Sequence, residues 1–216
     1  MAGLEPPASL CYNSTITVSP DGITLAHYRK THLYYTDEAW AQESDTKWLT
    51  TSLPVNLTSS LVGGSGPETV TTFGICMDLN PHQFTAPWTL YELATHTIAT
   101  GTQLLLLSMA WLTSLDSTEL AASAMEPDMA TLSYWIERLV PLVTNADREV
   151  VVVFANRCGE EPGDARYAGT SWVGKVGGGT VQVWGMSGRA EEIVLLAETN
   201  DEPRWVLNAT KKEEAG

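Results

Sequence analysis

Two short runs most restrict what this chain can fold into. Residues 104–107 are four consecutive leucines within the run 103–109, and residues 150–155 read Val-Val-Val-Val-Phe-Ala. A strand with no polar alternation is apolar on both faces, which suits the interior of a parallel sheet covered on both sides. Parallel neighbours need a long crossover, and the intervening sequence supplies helices for it. Leu90, Leu93, Ala94, Thr97 and Ile98 recur at helical spacing, with Pro87 near the start and Gly101 just past the end. A second helix is expected from Asp128, a capping residue, with Met129, Leu132, Ile136, Leu139, Val140 and Val143 as its apolar stripe. Pro141 should kink or shorten it.

Around these runs the pattern is that of strands. Residues 10–18 and 23–33 flank Pro20-Asp21-Gly22, where Pro presets φ and Gly accepts a positive φ, so a hairpin is expected. Residues 34–53 mix Asp37, Glu38, Glu43 and Asp45 with Trp40 and Trp48, as a loop packed by its aromatics would. Residues 63–67, Gly-Gly-Ser-Gly-Pro, lack the Gly-Lys-Ser/Thr ending of a phosphate loop and read as a connection. Three late strands are expected at 170–176, 180–184 and 192–198, the first two joined at Gly177-Gly178-Gly179. The order β-β-β-α-β-α-β-β-β-β predicts an α/β protein with helices against a sheet.

Composition narrows the partners. Twelve Lys plus Arg against 26 Asp plus Glu leave a net charge of −14, which repels phosphate backbones and anionic lipid. Neither nucleic acid nor a membrane is an expected partner. Cys11, Cys76 and Cys158 are too few and too scattered for a disulfide framework or a zinc site, and the four histidines lack ligand spacing, so no metal or cofactor is expected. Residues 1–10 lack a basic end followed by an apolar stretch, so no signal peptide is expected and the sequons at Asn13, Asn56 and Asn208 should go unused. The chain reads as soluble and cytoplasmic, with the nucleus left open. The Lys211-Lys212-Glu213-Glu214 end reads as a solvated tail.

The stretch with chemistry in it is 70–81. A β-prone run ends in Gly74-Ile75-Cys76-Met77-Asp78 and passes soon into the first helix. A cysteine where a strand turns sharply into a helix can be lifted from the core to face a pocket, the geometry of nucleophile elbows. Gly74 would allow the tight path, and nearby N–H groups could face a developing oxyanion. The alternative is a buried, inert thiol packing as a small hydrophobe. Lys30, at the end of an expected strand, is either a solvated edge charge or a site residue.

Tyr28-Arg29-Lys30-Thr31-His32-Leu33, followed downstream by Gly74-Ile75-Cys76-Met77-Asp78, resembles the nitrilase (carbon–nitrogen hydrolase) superfamily. Asn156-Arg157-Cys158-Gly159-Glu160-Glu161 with Tyr167-Ala168-Gly169-Thr170-Ser171 agrees, as does Tyr12-Asn13-Ser14 before its turn. Within it, Cys76-Met77-Asp78-Leu79-Asn80-Pro81, Ala86-Pro87-Trp88, Ser108-Met109-Ala110-Trp111-Leu112 and Tyr34-Tyr35-Thr36-Asp37-Glu38 resemble the fungal-type protein N-terminal amidohydrolases. The resemblance implies a nitrilase-like four-layer α-β-β-α sandwich, truncated at its N-terminus, with residues 1–200 as the hydrolase domain and 201–216 as a tail. Exposed sheet edges and a partly uncovered core would follow.

It implies a cysteine thioester route for hydrolysing an amide, deamidating N-terminal Asn or Gln of proteins to Asp or Glu in the N-degron pathway. Cys76 would be the nucleophile, its pKa lowered by Lys30. Lys30 with the Met77 N–H would hold the oxyanion, and Glu38, or Glu43 nearby, would be the supporting glutamate. His82 and Cys158 carry no role. The family's general-base glutamate lies upstream of everything here, so impaired activity is expected. A nitrilase or amidase of small amides, and an inactive fragment with only an interaction role, are the alternatives. Partners would be protein or peptide N-termini, and a homodimer stays open.

Overall fold

The computed structural model describes residues 10–55, 68–163 and 165–208. The glycine loop at 63–67, the sequon at Asn56 and the charged end at 211–214 lie outside the described residues. Strands β1 (Ser14–Val18) and β2 (Thr24–Arg29) pair antiparallel as a separate hairpin, with Gly22 at φ +80° in its turn. β3 (Thr50–Leu53) runs antiparallel to β4 (Thr69–Ile75), which is followed by α1 (Glu92–Ala99) and β5 (Leu104–Met109). Helices α2 (Ser117–Ala122), α3 (Met129–Arg138) and α4 (Val140–Val143) then lead to β6 (Val150–Asn156). A small β7–β8 hairpin (Glu160–Glu161, Ala165–Arg166) precedes β9 (Trp172–Gly177), β10 (Thr180–Met186) and β11 (Trp205–Asn208).

The main sheet has seven strands in the order β11-β10-β9-β6-β5-β4-β3. Its centre is the parallel trio β4, β5 and β6, registered Thr71 to Leu104 and Leu104 to Val151. The two uninterrupted apolar runs therefore lie side by side at the middle, where their lack of alternation leads them. Leu105, Leu107, Val152 and Phe154 face the helical layer and are buried. Leu106, Val153 and Val173 face the other way and are half-buried. Among the described residues the helices cover one face of the seven-stranded sheet, and the β1–β2 and β7–β8 hairpins form two further, two-stranded sheets. No helix among them is long and apolar enough to cross a membrane.

A column of aromatics ties helix to sheet: Trp135 stacks on Phe154 at 4.9 Å, and Phe154 on Trp172 at 5.1 Å. Trp135 and Trp172 are wholly buried. The Trp135→Ala variant is expected to lose about 3–5 kcal/mol, read as a lower urea midpoint with an unchanged slope.

Some expectations are corrected. The buried side of α3 carries Leu132, Trp135 and Arg138, while Met129 is half exposed, because the large indole and a guanidinium with inward partners set its rotation. Asp128 caps α3 as expected, accepting from the N–H groups of Ala130 and Thr131. α3 ends at Arg138, and Pro141 lies in the first turn of α4, where its missing N–H has no cost. α1 begins only at Glu92, because the preceding stretch is broken by left-handed residues. The loop expected at 34–53 ends in strand β3. Residues 192–198 are not a strand: Leu195 lies over Gly185, where an added Cβ would sit 2.8 Å from its Cδ1, so the segment straps the sheet face. Trp205–Asn208, expected in a tail, pairs with β10 as the sheet's edge.

Candidate active site

Parallel strands bring their carboxyl ends together, and crevices at those ends are where α/β sheets bind ligands. Here the ends of β4, β5 and β6 and the residues after β2 surround a cavity of about 730 Å³. Lys30, Asp37, Cys76 and Glu161 face it, with Tyr34 and Tyr167.

Cys76 follows β4 directly and opens a short helical turn, Cys76–Leu79. Its φ is +44°, a left-handed conformation that a side-chain-bearing residue adopts only when its surroundings hold it there. The elbow is therefore made by Cys76 itself and not by Gly74, whose φ is not positive. Gly74 serves close packing: an added Cβ would lie 2.8 Å from Leu107 Cδ2 and 3.3 Å from Leu93 Cδ2.

The holder is Asp78, fully buried two residues on. Its Oδ2 accepts from the Ile75 N–H at 2.7 Å and the Tyr28 hydroxyl at 2.6 Å. Its Oδ1 accepts from the N–H groups of Thr31 at 3.1 Å and His32 at 2.7 Å. One carboxylate thus ties the residue before Cys76 to those flanking Lys30. Arg138 braces the same turn from below, its Nε donating to the Leu79 carbonyl at 3.0 Å.

Lys30 is 2% exposed, so the solvated-edge alternative fails. Its Nζ donates to Asp37 Oδ2 at 2.6 Å, and Asp37 also accepts from the Tyr34 N–H and the Asn13 side chain. Burial pushes the Asp37 carboxyl up, but these donors, Lys30 foremost, outweigh it and hold it below the ordinary range. Glu38, expected to support Lys30, is exposed and does not line the cavity; its neighbour Asp37 makes that contact. Glu43 is also away from the cavity, paired with His82 at 2.8 Å. The sequence reading missed Asp37 because loop spacing carries no periodicity, although the residue stands inside the quoted Tyr34–Glu38 motif. Glu161, part of the Asn156–Glu161 run, also faces the cavity; it accepts from Tyr167 at 2.6 Å and pairs with Arg157. Those two partners hold its carboxyl below the ordinary range.

The Cys76 thiol departs from expectation. Burial pushes it up, and the facing Ala110 N–H and Lys30 lower it only in part. The resting group is a thiol. Its alkylation by iodoacetamide is expected to be slow at pH 8 and to accelerate above pH 9, with Lys30→Met moving the profile further toward alkali. Peptide mapping after timed alkylation checks this. Among the described residues no group of three or more His, Cys, Asp or Glu is placed to hold a metal ion.

The chain is 32% identical over 201 residues to a protein N-terminal amidase of Schizosaccharomyces pombe, a match covering 88% of this chain and 64% of that one. By sequence it is similar to the protein N-terminal amidases. A second N-terminal amidase, from Saccharomyces cerevisiae, is 33% identical over 113 residues, covering 50% of this chain and 25% of its own length. The chain thus spans less than two thirds of the length of these amidases. No family model matches it. Crystal structures of an N-terminal amidase, one with a Gln-Val peptide, superpose with a TM-score of 0.71 at 20% identity, covering 83% of this chain and 72% of theirs. A carbon–nitrogen hydrolase from Helicobacter pylori superposes at 0.56 and 16% identity, covering 85% of this chain and 55% of that one. The fold is that of the carbon–nitrogen hydrolases.

Proposed function

We propose that the chain is a thiol amidohydrolase that deamidates N-terminal Asn or Gln of proteins through a thioester on Cys76. The observation that carries the reading is the left-handed Cys76 elbow facing the buried Lys30–Asp37 pair across one cavity. An amide carbon is a poor electrophile, so a covalent route divides a hard step in two. Cys76 Sγ attacks the side-chain amide carbon, and the carbonyl oxygen becomes the oxyanion. The Lys30 ammonium and the N–H of Met77, one of the partnerless donors at the start of a helical turn, are its stabilisers. The C–N bond breaks as the nitrogen takes up the proton that the thiol gave up and leaves as ammonia, and water then hydrolyses the thioester to the carboxylic acid and restores the thiol. Asp37 holds Lys30 Nζ in place.

A thiol with a raised pKa needs a base. The described carboxylates that line the cavity, Asp37 and Glu161, are both held by cations and hydrogen bonds. Each is a weak proton acceptor, so turnover by this chain alone should be slow. The test is ammonia release from a peptide beginning with Asn, against the same residues as free amides. Release from the peptide that disappears in Cys76→Ala supports the proposal. Faster release from small amides than from the peptide would replace it with a small-amide amidase.

A further inference from the structure

A second pocket of about 250 Å³ opens beside the first and shares Tyr34, Cys76, Ala110 and Leu112 with it. Its character differs: the walls it does not share are Met77, Asn80, Phe84 and Trp111, apolar but for the Asn80 amide and the indole N–H. Phe84 is 60% exposed and Leu112 42% exposed, so apolar surface stands uncovered at the edge of the site. Phe84 is also placed there at a cost. Both it and Gln83 have positive φ, +56° and +52°, and neither is glycine. The turn is pinned by His82, whose ring contacts Glu43 at 2.8 Å and whose N–H donates to Glu92 at 3.2 Å. Strain that holds an aromatic side chain in water gives the free protein nothing, and such outliers gather at ligand sites.

We propose that this pocket receives the side chain of the second residue of the substrate, the one after the N-terminal Asn or Gln, and selects for an aliphatic group there. The inference rests on the amidase reading above. With the amide carbon at Cys76, the charged amino group belongs on the polar side, with Glu161. The amide carbon lies two bonds from the first Cα in Asn and three in Gln, and the next Cα is about 3.8 Å further on, so the second residue's Cα must fall within about 8 Å of the carbon that Cys76 attacks. The pocket that shares Cys76 as a wall meets that requirement, and its volume suits one side chain. An acidic second residue would be disfavoured both by the apolar wall and by the chain's net charge of −14.

The test uses three peptides identical except at position two, Asn-Leu, Asn-Gly and Asn-Glu. Ammonia release gives kcat/KM, and titration into the Cys76→Ala protein gives Kd. Leu is expected to exceed Gly by about tenfold, with Glu poorest. In Phe84→Ser, and independently in Leu112→Ser, the Leu-to-Gly ratio should shrink to within about twofold. Equal processing of all three by the wild-type chain overturns the subsite and leaves the amidase reading standing. Binding and turnover of none of the three, with small amides still hydrolysed, overturns both.

Discussion

Replacing Lys30 with methionine is expected to lower turnover about 10²- to 10³-fold, the loss seen when one oxyanion donor is removed. It should also destabilise the fold by about 3–5 kcal/mol, because the buried Asp37 carboxylate would lose its partner. The pH dependence separates the two causes. In the wild-type chain the Asp37 pKa is depressed on folding, so the pair's contribution is present above the ordinary carboxylate value and is lost as pH falls through the lowered one. In Lys30→Met burial acts on Asp37 with less opposition, its pKa rises, and stability is lost as pH increases instead. Urea midpoints of the two proteins should therefore differ most at neutral pH and converge toward pH 4. A variant with full stability and lost turnover would mean that Lys30 acts on the reaction alone.

The second large effect is expected at Asp78, which faces solvent nowhere and receives four hydrogen bonds. Asp78→Ala leaves the N–H groups of Ile75 and His32 without an acceptor, while the Thr31 N–H keeps the Tyr28 hydroxyl and that hydroxyl keeps Thr31 Oγ1, at a cost of about 1–3 kcal/mol for each N–H that water fails to reach. The sum, about 2–6 kcal/mol, reaches the lower end of an ordinary domain's whole stability, about 5–15 kcal/mol. Low yield of soluble protein, or a collapsed urea midpoint, is the expected result. Asp78→Asn keeps one acceptor oxygen and should fold, with the Cys76 elbow loosened and turnover reduced. Its pH signature is opposite to that of Asp37. Burial outweighs the four donors and pushes the Asp78 carboxyl up to about 6. A raised folded pKa means that its contribution is fully present below the unfolded value and is lost as pH rises through about 6. Midpoints measured from pH 4 to pH 7 should show that slope in the wild-type chain and not in Asp78→Asn.

The legible parts of this sequence were those where one physical demand overrides others. Four leucines in a row, or four valines and a phenylalanine, have no polar face to expose, and both runs lie at the centre of the sheet. Asp128 announced a helix start, and Gly101, at φ +67°, its neighbour's end. The cysteine elbow could be read because a strand meets a turn there. Illegible were the features set by tertiary partners. Left-handed Gln83, Phe84 and Tyr91 are not the glycines that would advertise such a conformation, so α1 was expected too early. The apolar residues at 192–198 cover the sheet face without joining its ladder, and alternation alone does not distinguish a strap from a strand. Glu38 and Asp37 are adjacent carboxylates in one loop; only the path that aims Asp37 at Lys30 separates them.

The most direct measurement is the intact mass of the chain after brief mixing with a peptide beginning with Asn, quenched in acid. The account predicts an adduct equal to the peptide less ammonia, mapped to the peptide containing Cys76, discharged by hydroxylamine and absent from Cys76→Ala. An adduct on Cys11 or Cys158 in its place, or ammonia release that persists undiminished in Cys76→Ala, would contradict it.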